Sequence, residues 1–247
     1  MDPVAFTIFG IDIMWYGVLI SLGVLLGVIF ALRECKRIGF KEDDLLDFLL
    51  VAIPSAIVGA RAYYVIFSWD YYSKNPGEII NIRNGGLAIH GALIAGVIVG
   101  VLFCRIRKIN VLKLLDIVMP SVALGQAIGR WGNFINQEAH GGPTNLPWGI
   151  MVNGQKVHPT FLYESIFDFC IFLFLMWFRK NKKTTDGQVL GLYLILYSAG
   201  RFLVEGLRTD SLMFLGMRVA QLISLASVLA GVLLLLYIKK KNNSIKN

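Results

Sequence analysis

The chain has 247 residues, of which 56% are hydrophobic, and its formal net charge at pH 7 is +8. Soluble domains of this length are usually about 45–50% apolar, whereas the excess here lies in long runs with few charges and gives a mean hydropathy of +0.64. This pattern is typical of an integral membrane protein and excludes a sizeable soluble domain. The three cysteines lie at or inside apolar runs without metal-like spacing, so we expect neither disulfides nor a metal site.

Seven apolar segments are long enough to cross a bilayer core, which takes about 20 residues. In chain order they are 13–32, 45–69, 87–104, 111–129, 158–178, 188–205 and 213–238. The first lacks a preceding basic region and a cleavage site, so we expect it to remain as an anchor. The sequence therefore predicts an all-α, polytopic membrane bundle of seven transmembrane helices, with residues 1–238 forming a single domain.

Lys and Arg are distributed unevenly among the connections between these spans. Most of the 24 fall at 33–41, 105–113, 179–183 and 239–246, which seven alternating spans place on one side. Cytoplasmic connections are enriched in Lys and Arg, so we expect the N-terminus outside and the C-terminus in the cytosol. Topology then explains the positive charge better than nucleic-acid binding does. Residues 239–247 become a basic cytosolic tail, expected to be disordered, and 130–157 an external loop or small head.

Polar residues are concentrated at the outer ends of the predicted spans. They are Tyr16 in the first span, Arg61 in the second, His90 in the third, Arg130 after the fourth, His158, Tyr163 and Glu164 in the fifth, and Arg201, Glu205 and Arg208 in or just beyond the sixth. Ionisable groups inside spans are costly and usually face a cavity or a partner. Their convergence at one depth indicates a functional site in the outer leaflet.

Several of these residues also have a purely structural explanation. Arg61 either snorkels to the interface or pairs with Asp47, and Tyr16 fits the aromatic belt of a membrane interface. Glu164 and Glu205 are candidates for neutralising arginines rather than for binding substrate.

Three outer arginines are most informative as a group. Arg130, Arg201 and Arg208 lie on the side that the charge distribution should deplete of them. A guanidinium is always charged and binds phosphate through two parallel hydrogen bonds. The group therefore indicates recognition of an anionic lipid headgroup, with Asn133 and Asn136 as further donors.

The segment GRWGNFINQEAHGG at 129–142 resembles the signature of the prolipoprotein diacylglyceryl transferase family, G-R-x-G-N-F-x-N-x-E-x-x-G, at every fixed position. The resemblance continues in MWYG, GGLAIHG, HPTFLYES and GRFLVEGLRTD, in the family's order, and covers nearly the whole chain. One difference is Ala92, where the family often has the last glycine of an HGG triplet. The added methyl group should be tolerated, at the risk of narrowing the lipid path.

The resemblance implies a bacterial inner (plasma) membrane enzyme with no cofactor and an active site toward the outer leaflet. Its substrates would be phosphatidylglycerol and a prolipoprotein signal peptide with a lipobox cysteine. The sn-1,2-diacylglyceryl group would move to the cysteine thiol, forming a thioether and releasing glycerol 1-phosphate, as the first step of lipoprotein maturation. The matching motif positions are Tyr16, His90, Arg130, Asn133, Glu138, Gly141, Tyr197, Arg201, Glu205 and Arg208.

Roles follow from this chemistry. We expect His90 to take the thiol proton, because the thiolate is the nucleophile, and Arg130 and Arg201 to stabilise charge on the departing phosphate. His90 stays open between a base, a headgroup ligand and a packed interfacial histidine. The residues expected to bind substrate are Tyr16, Arg61, Asn133, Asn136, Glu138, Gly141, Tyr197, Glu205 and Arg208, and those expected to support them are His158 and Glu164.

Two other classes fit the sequence less well. A lipid or anion transporter needs polar groups through the full membrane thickness, whereas these residues concentrate in the outer half. A phosphatidyl transferase needs an acidic metal-binding cluster on a span, which the sequence lacks.

Overall fold

The computed structural model describes residues 2–82, 85–209, 211–214 and 216–246, with side chains up to Asn243. Contacts divide the chain into two compact units. Unit 1 comprises Met1–Arg33 with Leu115–Asn247, and unit 2 comprises Glu34–Leu114. Each unit is described by itself below.

Unit 1 is built from long helices. They are most of α1 (Trp15–Ile38), most of α5 (Val111–Ile135), α6 (Thr160–Asn181), α7 (Gln188–Glu205) and α8 (Val219–Lys246). The buried core joins α5, α6 and α7 through Leu124, Phe172, Leu175 and Val189. α7 and α8 approach closely at Gly191, where an added Cβ would lie only 2.8 Å from the side chain of Leu235. Small residues of this kind allow membrane helices to pack tightly.

Unit 2 is built around two apolar helices, α2 (Glu42–Phe67) and α4 (Ile89–Arg107), which pack against each other and run antiparallel. Between them lie the short helix α3 (Trp69–Tyr72) and a 3-10 turn (Pro76–Glu78). Acidic residues fill the first turn of α2, where they complement the helix dipole. α4 is followed by its C-cap residue Lys108, which adopts the left-handed conformation with φ of 56°.

Three short antiparallel hairpins belong to unit 1 and were missed by the all-α prediction. They are β1–β2 (Val4–Ile8, Ile11–Met14), β3–β4 (Ile150–Val152, Gln155–Val157) and β5–β6 (Met213–Phe214, Met217–Arg218). The turn of β3–β4 is Asn153-Gly154, with φ of 49° and 79°. Asn-Gly at positive φ is the preferred two-residue hairpin turn, so this strand pair had a recognisable sequence signal.

Each predicted span corresponds to one long helix, with differences at the end of the chain. The seventh begins too early in the prediction, because Met213–Phe214 and Met217–Arg218 form the β5–β6 hairpin and α8 begins only at Val219. The tail was predicted to be disordered, but α8 continues through it to Lys246. Its last residue, Asn247, lies outside the described residues.

Six of the helices described by the structure are long and apolar enough to cross a membrane: α1, α2, α4, α5, α6 and α8. The chain therefore has the character of a multi-pass membrane protein. α7 is not among the six, and it carries Arg201 and Glu205 near its end. A count of seven spans stays a prediction.

Candidate active site

Three arginines surround one buried carboxylate in unit 1. Arg130 Nε lies 3.1 Å from Glu164 Oε2, Arg201 pairs with Glu164 Oε1, and Arg208 Nη1 lies 3.8 Å from Glu164 Oε2. Glu164 is only 5% exposed. A buried carboxylate is costly unless it is paired, and here α5, α7 and the turn after α7 each supply a cation. We call Glu164 and these three arginines the arginine cluster; it unites the arginines that the sequence grouped.

One face of α7 supplies much of the surrounding polarity. Tyr193, Tyr197, Arg201 and Glu205 recur every four residues, which places them on the same side of the helix. Arg201 also pairs with Glu205, so this arginine joins two buried carboxylates. The rings of Tyr193 and Tyr197 are stacked with centroids 5.5 Å apart, and the Tyr193 hydroxyl donates to Gln126 Oε1 at 3.0 Å.

Asp168 was not singled out from the sequence. It follows Glu164 by one turn of α6, is 3% exposed, and its Oδ2 has no hydrogen-bond partner within the described part of the chain. The signal that could have found it is its spacing of four residues from Glu164. Asp168 thus adds a third buried carboxylate, besides Glu164 and Glu205, to this part of unit 1.

The signature segment leaves α5 and closes on itself. The side-chain amides of Asn133 and Asn136 donate to Glu138 Oε1 at 3.1 and 3.3 Å. Gln137 and Ala139 both have positive φ, which makes the turn tight. Three residues expected to bind substrate therefore bind one another and fix the shape of the loop.

Gly141 fastens this loop to the segment that carries Arg208. Its N–H donates to the His158 carbonyl at 2.9 Å, and Gly141 forms an antiparallel bridge with Arg208. A Cβ added at Gly141 would lie 2.7 Å from His158 Cβ and 3.0 Å from the Leu207 carbonyl oxygen. The position has no room for a side chain, which explains its glycine without any contact to substrate.

His158 supports this region mainly through its backbone, with one side-chain contact. Its Nδ1 lies 3.4 Å from the Tyr163 hydroxyl, which accepts a hydrogen bond from Trp148 Nε1 at 2.8 Å. The expected supporting role of His158 is compatible with these contacts.

A cavity of about 220 Å³ lies beside the signature loop. Its lining residues are Asn133, Phe134, Gln137, Glu138, His140, Ile150, Met151, Val152 and Phe161. The polar members come from the end of α5 and the loop that follows it, and the apolar ones come from β3 and the aromatic pair Phe134 and Phe161. His140 is thus one of the polar side chains that line this cavity.

Tyr16 lies in the first turn of α1 and is 41% exposed. Its ring packs so closely on Gly132 that an added Cβ there would be 2.3 Å from Tyr16 Cδ2. The contact explains why this signature position is a glycine.

His90 and Arg61 belong to unit 2. His90 is the second residue of α4, is exposed, and its ring centroid lies 5.9 Å from that of Tyr63. Arg61 is buried and donates to backbone carbonyls rather than pairing with Asp47, which binds Arg107 instead. The contacts of Arg61 thus give no direct support to its expected part in substrate binding.

The matches to known proteins extend over the whole chain. A family model described as prolipoprotein diacylglyceryl transferase matches residues 3–237. A Clostridioides difficile protein named phosphatidylglycerol–prolipoprotein diacylglyceryl transferase is 59% identical over 244 residues, covering 99% of this chain and 98% of that protein. A Finegoldia magna protein of the same name is 61% identical over 241 residues, covering 98% and 97%. A Staphylococcus aureus protein of that name is 47% identical over 256 residues, covering 98% and 91%. With matches of this extent, the chain belongs to the prolipoprotein diacylglyceryl transferase family.

Proposed function

We propose that this chain transfers the diacylglyceryl group of phosphatidylglycerol to the cysteine thiol in the lipobox of a prolipoprotein. The names of its relatives state both substrates. The structural observation that carries the proposal is the arginine cluster, in which three guanidinium groups share the single carboxylate of Glu164.

The cluster suits a phosphate diester. Arg130 contacts Glu164 through Nε at 3.1 Å, and the two terminal nitrogens of a guanidinium can bind a phosphate as a fork. The guanidinium groups of the cluster can donate charge-assisted hydrogen bonds to the single negative charge of a phosphatidylglycerol headgroup. Charge interactions are strong at such a poorly solvated place, so the lipid phosphate would be held firmly.

The same arginines serve the chemical step. The thiol loses its proton to His90, and the thiolate attacks the glycerol carbon that bears the phosphate. The carbon–sulfur bond forms as the carbon–oxygen bond breaks, and the electron pair leaves on the phosphate oxygen. Glycerol 1-phosphate departs with one more negative charge than the diester carried, and Arg130 and Arg201 stabilise that charge because they are already in place.

We also infer that α7 crosses the membrane, as the seventh span. Its two charged residues are neutralised inside unit 1, where Arg201 pairs with both Glu164 and Glu205. Buried ion pairs of this kind are how charges are tolerated in spans. With the N-terminus outside, as the Lys and Arg distribution favours, the arginine cluster faces the outer leaflet of the bacterial plasma membrane, and 130–157 lies outside.

The decisive experiment incubates purified protein with phosphatidylglycerol and a lipobox peptide, followed by mass spectrometry. We expect the peptide cysteine to gain one diacylglyceryl group and glycerol 1-phosphate to appear in equal amount. A peptide with serine in place of cysteine and the Arg130→Ala variant are the controls. An unmodified cysteine with folded wild-type protein would exclude the transferase, and phosphatidylglycerol flux across protein-containing liposomes would favour a transporter instead.

A further inference from the structure

The start of α4, which carries His90, depends on α2 rather than on a capping side chain. The residue before the helix, Ala88, makes no side-chain cap. Its N–H donates instead to the Ala60 carbonyl of α2 at 3.1 Å. Since the first N–H groups of a helix have no partner within it, contacts from neighbouring elements decide where such a helix begins.

The two helices touch through backbone next to His90. A Cβ added at Gly91 would lie 2.2 Å from the Gly59 carbonyl oxygen, and one added at Gly59 would lie 2.7 Å from the Gly91 carbonyl oxygen. The place of His90 relative to α2 is therefore fixed to within a small tolerance, with its ring beside that of Tyr63.

Arg61 holds the connection that leads into α4. Its Nε donates to the Ile79 carbonyl at 2.8 Å and its Nη2 to the Glu78 carbonyl at 2.6 Å. Its Nη1 donates to the carbonyls of Gly85 and Gly86, both at 2.9 Å. One guanidinium thus joins two separate parts of the connection between α3 and α4.

This environment is unlike that of a headgroup ligand. Arg61 is 8% exposed, and its guanidinium lies over the Tyr72 ring, 5.1 Å from the centroid. Binding a phosphate would require it to give up several of these backbone carbonyls, each held by a charge-assisted hydrogen bond.

We propose that Arg61 is a positioning residue for His90: it fixes the backbone before α4 and thereby holds the imidazole where it can take the thiol proton. The proposal rests on the proposed transferase function. Arg61 itself touches neither the lipid nor the peptide.

A double-mutant cycle tests the proposal. Turnover is measured for the wild type, Arg61→Gln, His90→Gln and the double variant, with saturating phosphatidylglycerol and lipobox peptide. Displacing a reacting group by about 1 Å can cost about 10²-fold, so we expect Arg61→Gln to lower kcat by about that factor with little change in KM for the lipid. In the His90→Gln background the same substitution should have almost no further effect, because contacting or coupled sites are non-additive.

The pH profile separates positioning from a loss of fold. If Arg61 acts through a base, the defect of Arg61→Gln should shrink as the pH rises and hydroxide deprotonates the thiol. Losses that add in the double variant, a defect equal at every pH, or a raised KM for phosphatidylglycerol would each overturn the proposal. A wild type that forms no thioether would instead reject the transferase function itself, so the two failures are distinguishable.

Three further variants test the proposal even if the Arg61→Gln protein does not fold. A Cβ in Gly86→Ala would lie 2.3 Å from Arg61 Nη1, at a φ of +76°, so this variant should reproduce the kinetic defect with the arginine still present. The matched control is Gly77→Ala in the same connection, where an added Cβ meets nothing within 4 Å, and it should behave as wild type. Arg61→Lys keeps the charge but cannot reach four carbonyls, so near-wild-type turnover in that variant would contradict the proposal.

Discussion

At the scale of single residues, Arg130 can act through the planar geometry of its guanidinium group or through its positive charge alone, and a substitution can separate the two. Arg130 contacts Glu164 through Nε at 3.1 Å, and the two terminal nitrogens of a guanidinium form a planar pair that matches two phosphate oxygens. A lysine can replace the bond to Glu164 or the bond to a phosphate, but it cannot make both.

We therefore predict that Arg130→Lys will be nearly as damaging as Arg130→Ala. Removing a donor that stabilises developing negative charge costs about 10²–10³-fold in kcat, and both variants should fall in that range. The measurement is kcat and KM with phosphatidylglycerol and a lipobox peptide. If Arg130→Lys keeps most of the wild-type turnover, charge alone suffices and the fork is irrelevant.

Gly141 gives a second test at this scale. An added methyl group there would meet His158 Cβ and the Leu207 carbonyl, whereas at Gly142 it would meet only Thr209 Cγ2 at 3.7 Å. Overpacking of a tight position costs about 1–3 kcal/mol. We expect Gly141→Ala to lower the Tm and to displace Arg208, with loss of turnover, while Gly142→Ala stays close to wild type. Equal behaviour of the two variants in thermal unfolding and turnover would contradict the role assigned to Gly141.

At the scale of elements, apolar runs predicted the helices better than they predicted the short strands. A run of about 20 apolar residues has few alternatives to a helix in a membrane. Each predicted span contains one long helix. The hairpins at 4–14 and 213–218 were hidden because their apolar residues merge with the runs that follow. Tail residues 239–246 were predicted to be disordered from composition alone, but helix α8 continues through them.

Asp116 organises the end of unit 1 at which α7 begins. Its carboxylate accepts hydrogen bonds from the N–H groups of Gly187 and Leu190 at 2.8 and 2.9 Å, and it lies 3.0 Å from Lys183 Nζ. A carboxylate from α5 thus caps the beginning of α7. Burial lowers the pKa of Lys183, but its attraction and hydrogen bonds to Asp116 and Asp186 together outweigh burial and raise the pKa above the ordinary 10.5.

A raised lysine pKa stabilises the folded protein fully below the ordinary value, and the contribution is lost as the pH rises through the raised value. We therefore predict that Lys183→Met lowers the Tm at neutral pH and that its difference from wild type shrinks above pH 10.5. Thermal unfolding of both proteins in detergent across this pH range is the measurement. A difference that persists undiminished at high pH would mean that packing, not charge, accounts for it.

The orientation of the elements is tested by labelling single cysteines. The starting protein should lack all three native cysteines, because the exposed Cys170 could itself react with the reagent and the buried Cys35 and Cys104 could react on unfolding. Lys182→Cys should react with a membrane-impermeant thiol reagent only after cells are opened, and Asn145→Cys should react in intact cells. Spheroplasts replace intact cells if an outer membrane blocks the reagent. The opposite pattern would overturn the outer-leaflet position of the arginine cluster.

At the scale of the whole molecule, the sequence grouped residues by membrane depth, and this was enough to find the arginine cluster. Depth could not show that Glu164 would be the common partner, nor that a second buried carboxylate, Asp168, would lie one turn away on α6. It also could not show the surroundings of Arg61, because the carbonyls it binds belong to a connection without a distinctive pattern. Side-chain partners depend on packing, which one-dimensional spacing does not encode.

The residues proposed for phosphate binding and for proton removal belong to different units. The arginine cluster is part of unit 1, whereas His90 is part of unit 2. Substitution of His90 should therefore impair proton removal while leaving phosphatidylglycerol binding in place.

We accordingly predict that His90→Gln will leave phosphatidylglycerol binding largely intact while lowering turnover. Loss of a general base typically costs about 10²–10⁴-fold. The defect should shrink as the pH approaches the ordinary pKa of the substrate thiol, roughly 8.5, because hydroxide then forms the thiolate. Lipid binding and single-turnover rates measured on the same preparations across this pH range provide the test, with Arg130→Ala as the variant expected to lose binding. A defect equal at every pH together with weakened lipid binding would make His90 a headgroup ligand. The thiol proton would then have to leave through Tyr16, Glu205 or water, and the arginines would carry most of the catalysis.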